Sequence, residues 1–374
     1  MPNRNLIQAR KARQDEFYTQ WVDIEREMNA YLEYNPNVFR DQTILLPCDD
    51  PEWSNFTKYF ALHFTEFGLK KLISTSYAPK SNNYGEYYQP TLFEINCPHY
   101  DEDKSFRQGR IFVLERKDMS GDGRINIEDL QWEYLNGDGD FRSEEVTRLR
   151  NEADMIVTNG PFSLFRALLE WILEGEKKFS VIGNVNAITY KEVFPLLMNN
   201  HIWLGPSITS GDREFRVPDS YPLNAAGQRI VDGKKYIRVK GVRWFTNIDH
   251  GRRHEPLQLM TMEDNLKYHR NDKVREVAYQ KYDNYDAIEV PFTDAIPSDY
   301  KGVMGVPITF LDKYNPEQFR ILGITDRHNK HGIKTKVYTN DDALNHGDLN
   351  RRATLRTASG ELKPIYTRLL IQKI

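Results

Sequence analysis

Thr43 to Tyr77 reads TILLPCDDPEWSNFTKYFALHFTEFGLKKLISTSY, and this stretch decides the fold class. Its first eight residues, TILLPCDD, read as a buried strand that stops in Asp49-Asp50-Pro51. From Asn55 to Phe67 the rings of Phe56, Tyr59, Phe60 and Phe64 recur at helical spacing, and Gly68 stands where a left-handed C-terminal cap belongs. KKLISTSY then returns to strand character. Strand, turn, helix and strand in that order open an α/β sheet.

Outward from this unit the pattern repeats. Upstream, Phe17, Trp21, Ile24 and Met28 predict a helix that Asn35-Pro36 ends. Downstream, DMIVTN (154–159) and KFSVIGNVN (178–186) predict two more strands, followed by helices over 163–174 and 189–198. Parallel sheets of this kind bind ligands beyond the carboxyl ends of their strands, which is where Asp49, Asp50, Asn159 and Asn184 or Asn186 are expected to gather. Residues 205–241 are rich in Gly, Pro, Asp and Ser and read as an inserted excursion. YIRVKGVRWFTNID (236–249) reads as a strand, and KGVMGVPITFL (301–311) as another. A boundary is expected near residue 250, giving a domain over 1–250 and a second region over 251–374.

Composition narrows the class. The chain has 374 residues, 39% hydrophobic and 28% charged, so a globular protein with a sizeable core is expected. No run approaches the ~18 apolar residues of a membrane span. The opening MPNRNLIQARKARQDEFYTQ has no apolar centre, so no secretory signal is expected and the cytoplasm is the expected compartment. Cys48 and Cys97 are too few for a zinc cluster, and the nine histidines show no metal-ligand spacing. Net charge is −3, yet from Arg327 onward ten Lys/Arg stand against four Asp/Glu.

The chemistry-bearing stretch is DMIVTNGPF (154–162). It sets an Asn at the end of a buried strand, then a turn, then an aromatic ring. The Asn159 side-chain oxygen and the carbonyl of Gly160 are two acceptors for the hydrogens of a planar amine. Binding both hydrogens favours a more tetrahedral nitrogen with its lone pair free. Pro161 stiffens the turn, and Phe162 offers a face for stacking. An ordinary strand–turn–helix junction reads the same way, since Asn-Gly is a common turn dipeptide. The pair Asp49-Asp50 is open in the same sense: a carboxylate there can hold a ligand or cap the helix that follows.

The chain resembles the EcoRI-type family of adenine-specific DNA methyltransferases. DEFYTQ (15–20), CDDPEWSNFTKYFALHF (48–64), NGDGDFRS (136–143), IVTNGPFSLFR (156–166), KFSVIGNVNAITYKEVF (178–194), WFTNID (244–249), KYDNYDAIEV (281–290) and YKGVMGVPITFLDKYNPEQF (300–319) carry the likeness in family order. The resemblance implies a class I S-adenosylmethionine-dependent methyltransferase fold, Rossmann-like with a mostly parallel sheet, and a C-terminal target-recognition region. It implies catalysis by Asn159, Gly160, Pro161 and Phe162. Phe17, Tyr18, Thr19, Asp49, Asp50, Pro51, Asp140, Phe141 and Asn159 are implied to hold S-adenosylmethionine. The expected reaction is direct methyl transfer to N6 of an adenine flipped out of double-stranded DNA, with no metal required and no membrane partner. Asn159→Ala is expected to keep the cofactor bound and lose methylation. Gly160 departs from the family's Asn-Pro-Pro-Phe and loosens the turn, which leaves altered, slowed or lost activity open. An RNA or protein-amide methyltransferase, and a DNA-binding protein with lost activity, are the alternatives. Oligomeric state is not readable.

Arg252 and Arg253 in HGRRH (250–254), and Arg351 and Arg352 in the basic C-terminal stretch, are candidates for DNA backbone contacts. A solvated surface is the competing expectation. Asp118 to Asp129 has EF-hand-like spacing, but it ends in Asp rather than Glu and follows a strand-like flank, so a polar hairpin turn is favoured over a calcium loop.

Overall fold

The computed structural model describes residues 17–50, 54–78, 100–209, 211–217, 228–326 and 334–374. The chain divides into two compact units, one of Met1–Val185 with Gly205–Asp249, the other of Asn186–Leu204 with His250–Ile374. Among the described residues no helix is long and apolar enough to cross a membrane.

The first unit is built on a sheet that begins with β1 (Thr43–Leu46), β2 (Lys71–Ser76), β3 (Arg110–Glu115), β4 (Gln131–Tyr134), β5 (Met155–Thr158) and β6 (Lys178–Asn184). With Val242–Thr246, the strands of this unit run in the spatial order β4-β3-β2-β1-β5-β6 and then Val242–Thr246. β2, β1, β5 and β6 are mutually parallel, with Leu45 paired to Ile73 on one side and to Ile156 on the other. β3 and Val242–Thr246 flank this parallel centre antiparallel. Every residue of β1 and β5 is buried, as expected of strands covered on both faces.

Helix α1 (Trp21–Tyr34) buries Ile24, Met28 and Tyr31; Phe17 lies before it, in extended chain rather than in its first turn. The helix after β1 is broken at His63 into α2 (Asn55–Leu62) and α3 (Phe64–Phe67), and Gly68 caps it at φ +63°. Phe56, Tyr59, Phe60 and Phe64 join Ile44, Leu46 and Trp244 in the main core. Residues 144–152 form α4 and 165–174 form α5, the latter entered through a 3-10 turn at Phe162–Leu164.

The expected strand 236–249 is two strands. Gly241, at φ +70°, ends Lys234–Lys240, and Val242–Thr246 begins in a different sheet. Periodicity cannot reveal such a switch, because both halves keep strand spacing. Likewise 301–311 holds only Met304–Pro307 as strand before a 3-10 turn. Residues 118–129 connect the antiparallel pair β3 and β4, with strand rather than helix on either side. Asp118 accepts from the amides of Gly121 and Gly123, and Asp129 from those of Met119, Ser120 and Asn126.

In the second unit a four-stranded sheet is centred on Met304–Pro307 and Arg368–Lys373. Its buried Glu289 is held by Arg368 at 2.7 Å and by the Tyr282 hydroxyl, so the charge is compensated on the sheet itself.

Candidate active site

The chain leaves β1 toward β2 and leaves β5 toward β6, so the neighbours β1 and β5 flank the topological switch point of the sheet. Ligands of open α/β sheets bind at that crevice, beyond the carboxyl ends. Asp49 and Asp50 follow β1 there, and Asn159 follows β5.

Asp49 is 3% exposed. One carboxylate oxygen accepts from Ser54 Oγ and the other from Thr158 Oγ1, each at 2.6 Å, so Asp49 ties the end of β1 to the end of β5. Burial raises its pKa to about 6, against the opposing effect of the two hydroxyl donors. The helix cap is neither aspartate: Ser54 Oγ accepts from the Phe56 amide at 3.1 Å. Asp49 acts one step behind, fixing the capping hydroxyl. Asp50 meets Arg110 Nη2 at 2.5 Å, and the Arg110 amide reaches Ser76 Oγ at the end of β2.

Asn159 is 8% exposed, more enclosed than a group expected to face a substrate base. Its Nδ2 donates to the Phe17 carbonyl at 2.5 Å. Its Oδ1 is buried and, among the described residues, without a hydrogen-bond partner, as is the hydroxyl of the nearby chain segment's Thr19. A buried acceptor left unsatisfied costs roughly 1–3 kcal/mol, so a donor from outside the chain is the natural partner. The bond to Phe17 revises the expectation for Asn159→Ala: removing the amide also loosens the segment implied to hold the cofactor. That segment is pinned from its other side, where Tyr18 and Arg216 exchange backbone hydrogen bonds of 2.9 and 3.1 Å.

Phe162 is partly exposed and sits in an aromatic trio, 5.6 Å from Phe17 and 6.1 Å edge-on to Phe215 between ring centroids. Gly160 packs against α5: a Cβ there would lie 2.6 Å from Leu168 Cδ2, so a larger residue requires the end of the Leu168 side chain to shift.

The loop 136–140 lies against the end of β2. Gly109 and Gly139 approach Ser76 so closely that a Cβ on either would fall 2.6 or 2.2 Å from the Ser76 carbonyl oxygen. Asp140 resists burial through hydrogen bonds from Arg142, which hold its carboxyl below the usual range. Phe141 is buried edge-on to Trp171 at 5.6 Å, a wall of the core rather than an open plate. Pro51 lies outside the described residues.

The candidate DNA contacts separate. Arg253 is 6% exposed, bonded to Asn200 at 2.7 Å and stacked 3.5 Å over the Trp203 ring centroid, so its guanidinium is committed to packing within the second unit. That removes it from the surface cations. Arg252 and Arg352 are partly exposed and Arg351 is exposed. Ser54, Thr158, Arg110 and Phe215 went unread in the sequence. Only Arg110 carried a signal, a lone cation opening an apolar strand that needs a counter-ion.

A sheet whose switch point joins an acidic loop to Asn-Gly-Pro-Phe has the architecture of a class I methyltransferase. The chain belongs to the family described as adenine-specific methyltransferase EcoRI, which matches residues 5–374. It is similar to the Type II methyltransferase M.EcoRI of Escherichia coli, 42% identical over 321 residues, covering 86% of this chain and 89% of that protein. The Type II methyltransferase M.MpnI of Mycoplasma pneumoniae is 32% identical over 319 residues, 84% of this chain and 83% of that one. M.MgeORF184P of Mycoplasma genitalium is 31% identical over 369 residues, 98% and 97% of the two chains. No solved structure matches. The chain is thus an adenine-specific DNA methyltransferase, an enzyme of the restriction–modification type, and the RNA and protein-amide alternatives fall away.

Proposed function

We propose that the chain methylates N6 of an adenine in double-stranded DNA from S-adenosylmethionine, with Asn159 as the residue that orients the reacting amine. The supporting observation is the Asn159 Oδ1 atom, buried and unsatisfied among the described residues, on a side chain whose amide nitrogen is bonded to the Phe17 carbonyl. When bound, S-adenosylmethionine supplies a methyl group on a positively charged sulfur and departs as a neutral thioether. The residues present fit that cofactor at the switch point, where among the described residues Thr19 offers an unsatisfied buried hydroxyl, while Asp49 and Asp50, held by Ser54, Thr158 and Arg110, fix the frame around it.

Each residue then has a role. An adenine flipped from the stack gives its N6 hydrogens to Asn159 Oδ1 and the Gly160 carbonyl while Phe162 stacks on the ring. Asp49, through Thr158, holds the end of β5 so that Asn159 keeps its place. The amine proton is lost after attack, so no strong base is required of the chain. The first unit carries the transfer and the second carries target recognition, through cations such as Arg252, Arg351 and Arg352. The family match favours this reading over an inactive DNA-binding protein, and Gly160 keeps the backbone carbonyl that the transfer needs.

Incubation with methyl-labelled S-adenosylmethionine and duplex DNA, followed by nucleoside analysis, tests this. Label in N6-methyladenine is expected; label in cytosine, or in none of the DNA, overturns it.

A further inference from the structure

Four side-chain hydrogen bonds close a circuit at the switch point. Asp49 accepts from Ser54 Oγ with one oxygen and from Thr158 Oγ1 with the other. Each of these hydroxyl residues is followed by an asparagine, Asn55 and Asn159, and both asparagines give their amide nitrogen to the same short segment. Asn55 Nδ2 donates to the Thr19 carbonyl at 2.7 Å, and Asn159 Nδ2 to the Phe17 carbonyl at 2.5 Å. The circuit therefore runs from Asp49 through Ser54-Asn55 to Thr19, back along the segment to Phe17, and through Asn159-Thr158 to Asp49. Two of its members, Thr19 Oγ1 and Asn159 Oδ1, are buried and unsatisfied among the described residues.

Chemistry sets the direction of each link. A backbone carbonyl only accepts, so Phe17 binds the nitrogen end of the Asn159 amide and leaves the oxygen end for a donor from elsewhere. An amide turned the other way would present N–H donors to an amine that needs an acceptor. The Phe17 carbonyl is held in turn by whatever holds its segment. Tyr18 is tied to Arg216 through backbone atoms alone, whereas Thr19 is gripped by a side chain, that of Asn55. Asn55 is half-buried and opens α2, where the Ser54 cap fixes its place. An anchor that serves only the stability of the extended segment is the competing explanation. It accounts for the bond to Thr19, and less well for a segment whose other end orients the Asn159 amide.

We infer that Asn55 is a positioning residue for the methyl transfer: its grip on Thr19 holds the Phe17 carbonyl where that carbonyl keeps Asn159 Oδ1 turned to the adenine amine. The inference rests on the adenine-transfer reading above. Asn55→Asp in the full-length protein tests it. A carboxylate keeps the shape and suits the first turn of α2, yet it has no hydrogen to give a carbonyl. The single-turnover rate at saturating S-adenosylmethionine and duplex DNA should fall about tenfold, the weight of one lost hydrogen bond. Asn55→Gln, which keeps a donor, should recover part of that rate. In the Asn159→Ala background the same Asn55→Asp change should slow transfer by less than about twofold, because the amide it acts through is gone. An anchor of stability alone would instead slow both backgrounds equally. If Asn55→Asp does not fold, Asn55→Ala takes its place in the same comparison. A wild-type rate in the folded variant, or an equal loss in both backgrounds, overturns the inference and leaves the transfer reading standing. Failure of the wild type to label DNA overturns the transfer reading first, and is seen without any variant.

Discussion

Gly160→Ala isolates the reason this position is not proline. An ideal Cβ at residue 160 lies 2.6 Å from Leu168 Cδ2 and 3.6 Å from Cys48 Sγ. Carbon atoms pack favourably at about 3.5–4.0 Å, so Leu168 must withdraw by about 1 Å. Leu168 is buried on α5, so the shift must come from its terminal methyl groups. Overpacking of this kind costs about 1–3 kcal/mol. Leu168→Ala alone leaves a cavity and costs about 2–5 kcal/mol. In the double variant the new methyl group occupies space that Leu168 has vacated, so the combined loss should fall short of the sum by at least about 1 kcal/mol. Urea unfolding of the four proteins, compared at equal slopes, measures this. Single-turnover methylation adds a second readout. A displaced Gly160 carbonyl slows transfer in Gly160→Ala by up to about a hundredfold, and the double variant recovers part of that. Strict additivity, or an alanine variant as stable and active as wild type, would refute the packing explanation.

Asp49→Asn bears on the buried carboxylate. Its folded pKa of about 6 stands above the ordinary 3.8 of an aspartate, so the folded protein binds this proton more tightly than the unfolded chain. Its contribution to stability is therefore lost as pH rises from about 4 to about 6, by roughly 3 kcal/mol, and the asparagine variant should lack that decline when unfolding free energy is measured across pH 4–7. Ser54→Ala removes both the helix cap and one donor to Asp49; a loss of about 1 kcal/mol in the thermal or urea transition is expected, with the pH window moved upward. Phe215→Ala should cost about 3–5 kcal/mol and lower kcat/KM for DNA by freeing Phe162, whereas unaltered kcat/KM would separate the aromatic trio from catalysis.

Much of the first unit was readable because its strands are local and periodic. β1 and β5 are short, largely apolar runs, and Asp49, Asp50 and Asn159 follow them at positions that a parallel sheet brings to one edge. What escaped is what depends on pairing across the chain. The bond from Thr158 to Asp49 links residues 109 positions apart, and that from Asn159 to Phe17 links residues 142 apart. Neither leaves a mark on local spacing. The sheet of Asp212–Val217, Gln228–Val231 and Lys234–Lys240 hid behind turn-rich composition, and Arg253 looked like a surface cation until Trp203 and Asn200 enclosed it. Gly160 looked like a weakened catalytic turn, since no pattern in the sequence announces that Leu168 will lie against it.

The single-turnover rate of Asn159→Ala on duplex DNA, at saturating S-adenosylmethionine, bears most directly on the mechanism. Loss of the acceptor that shapes the amine should slow transfer by on the order of 10²–10³, with duplex binding retained and cofactor binding weakened only as far as the lost Phe17 bond allows. A rate within about threefold of wild type, with both ligands bound, would take Asn159 out of the chemistry.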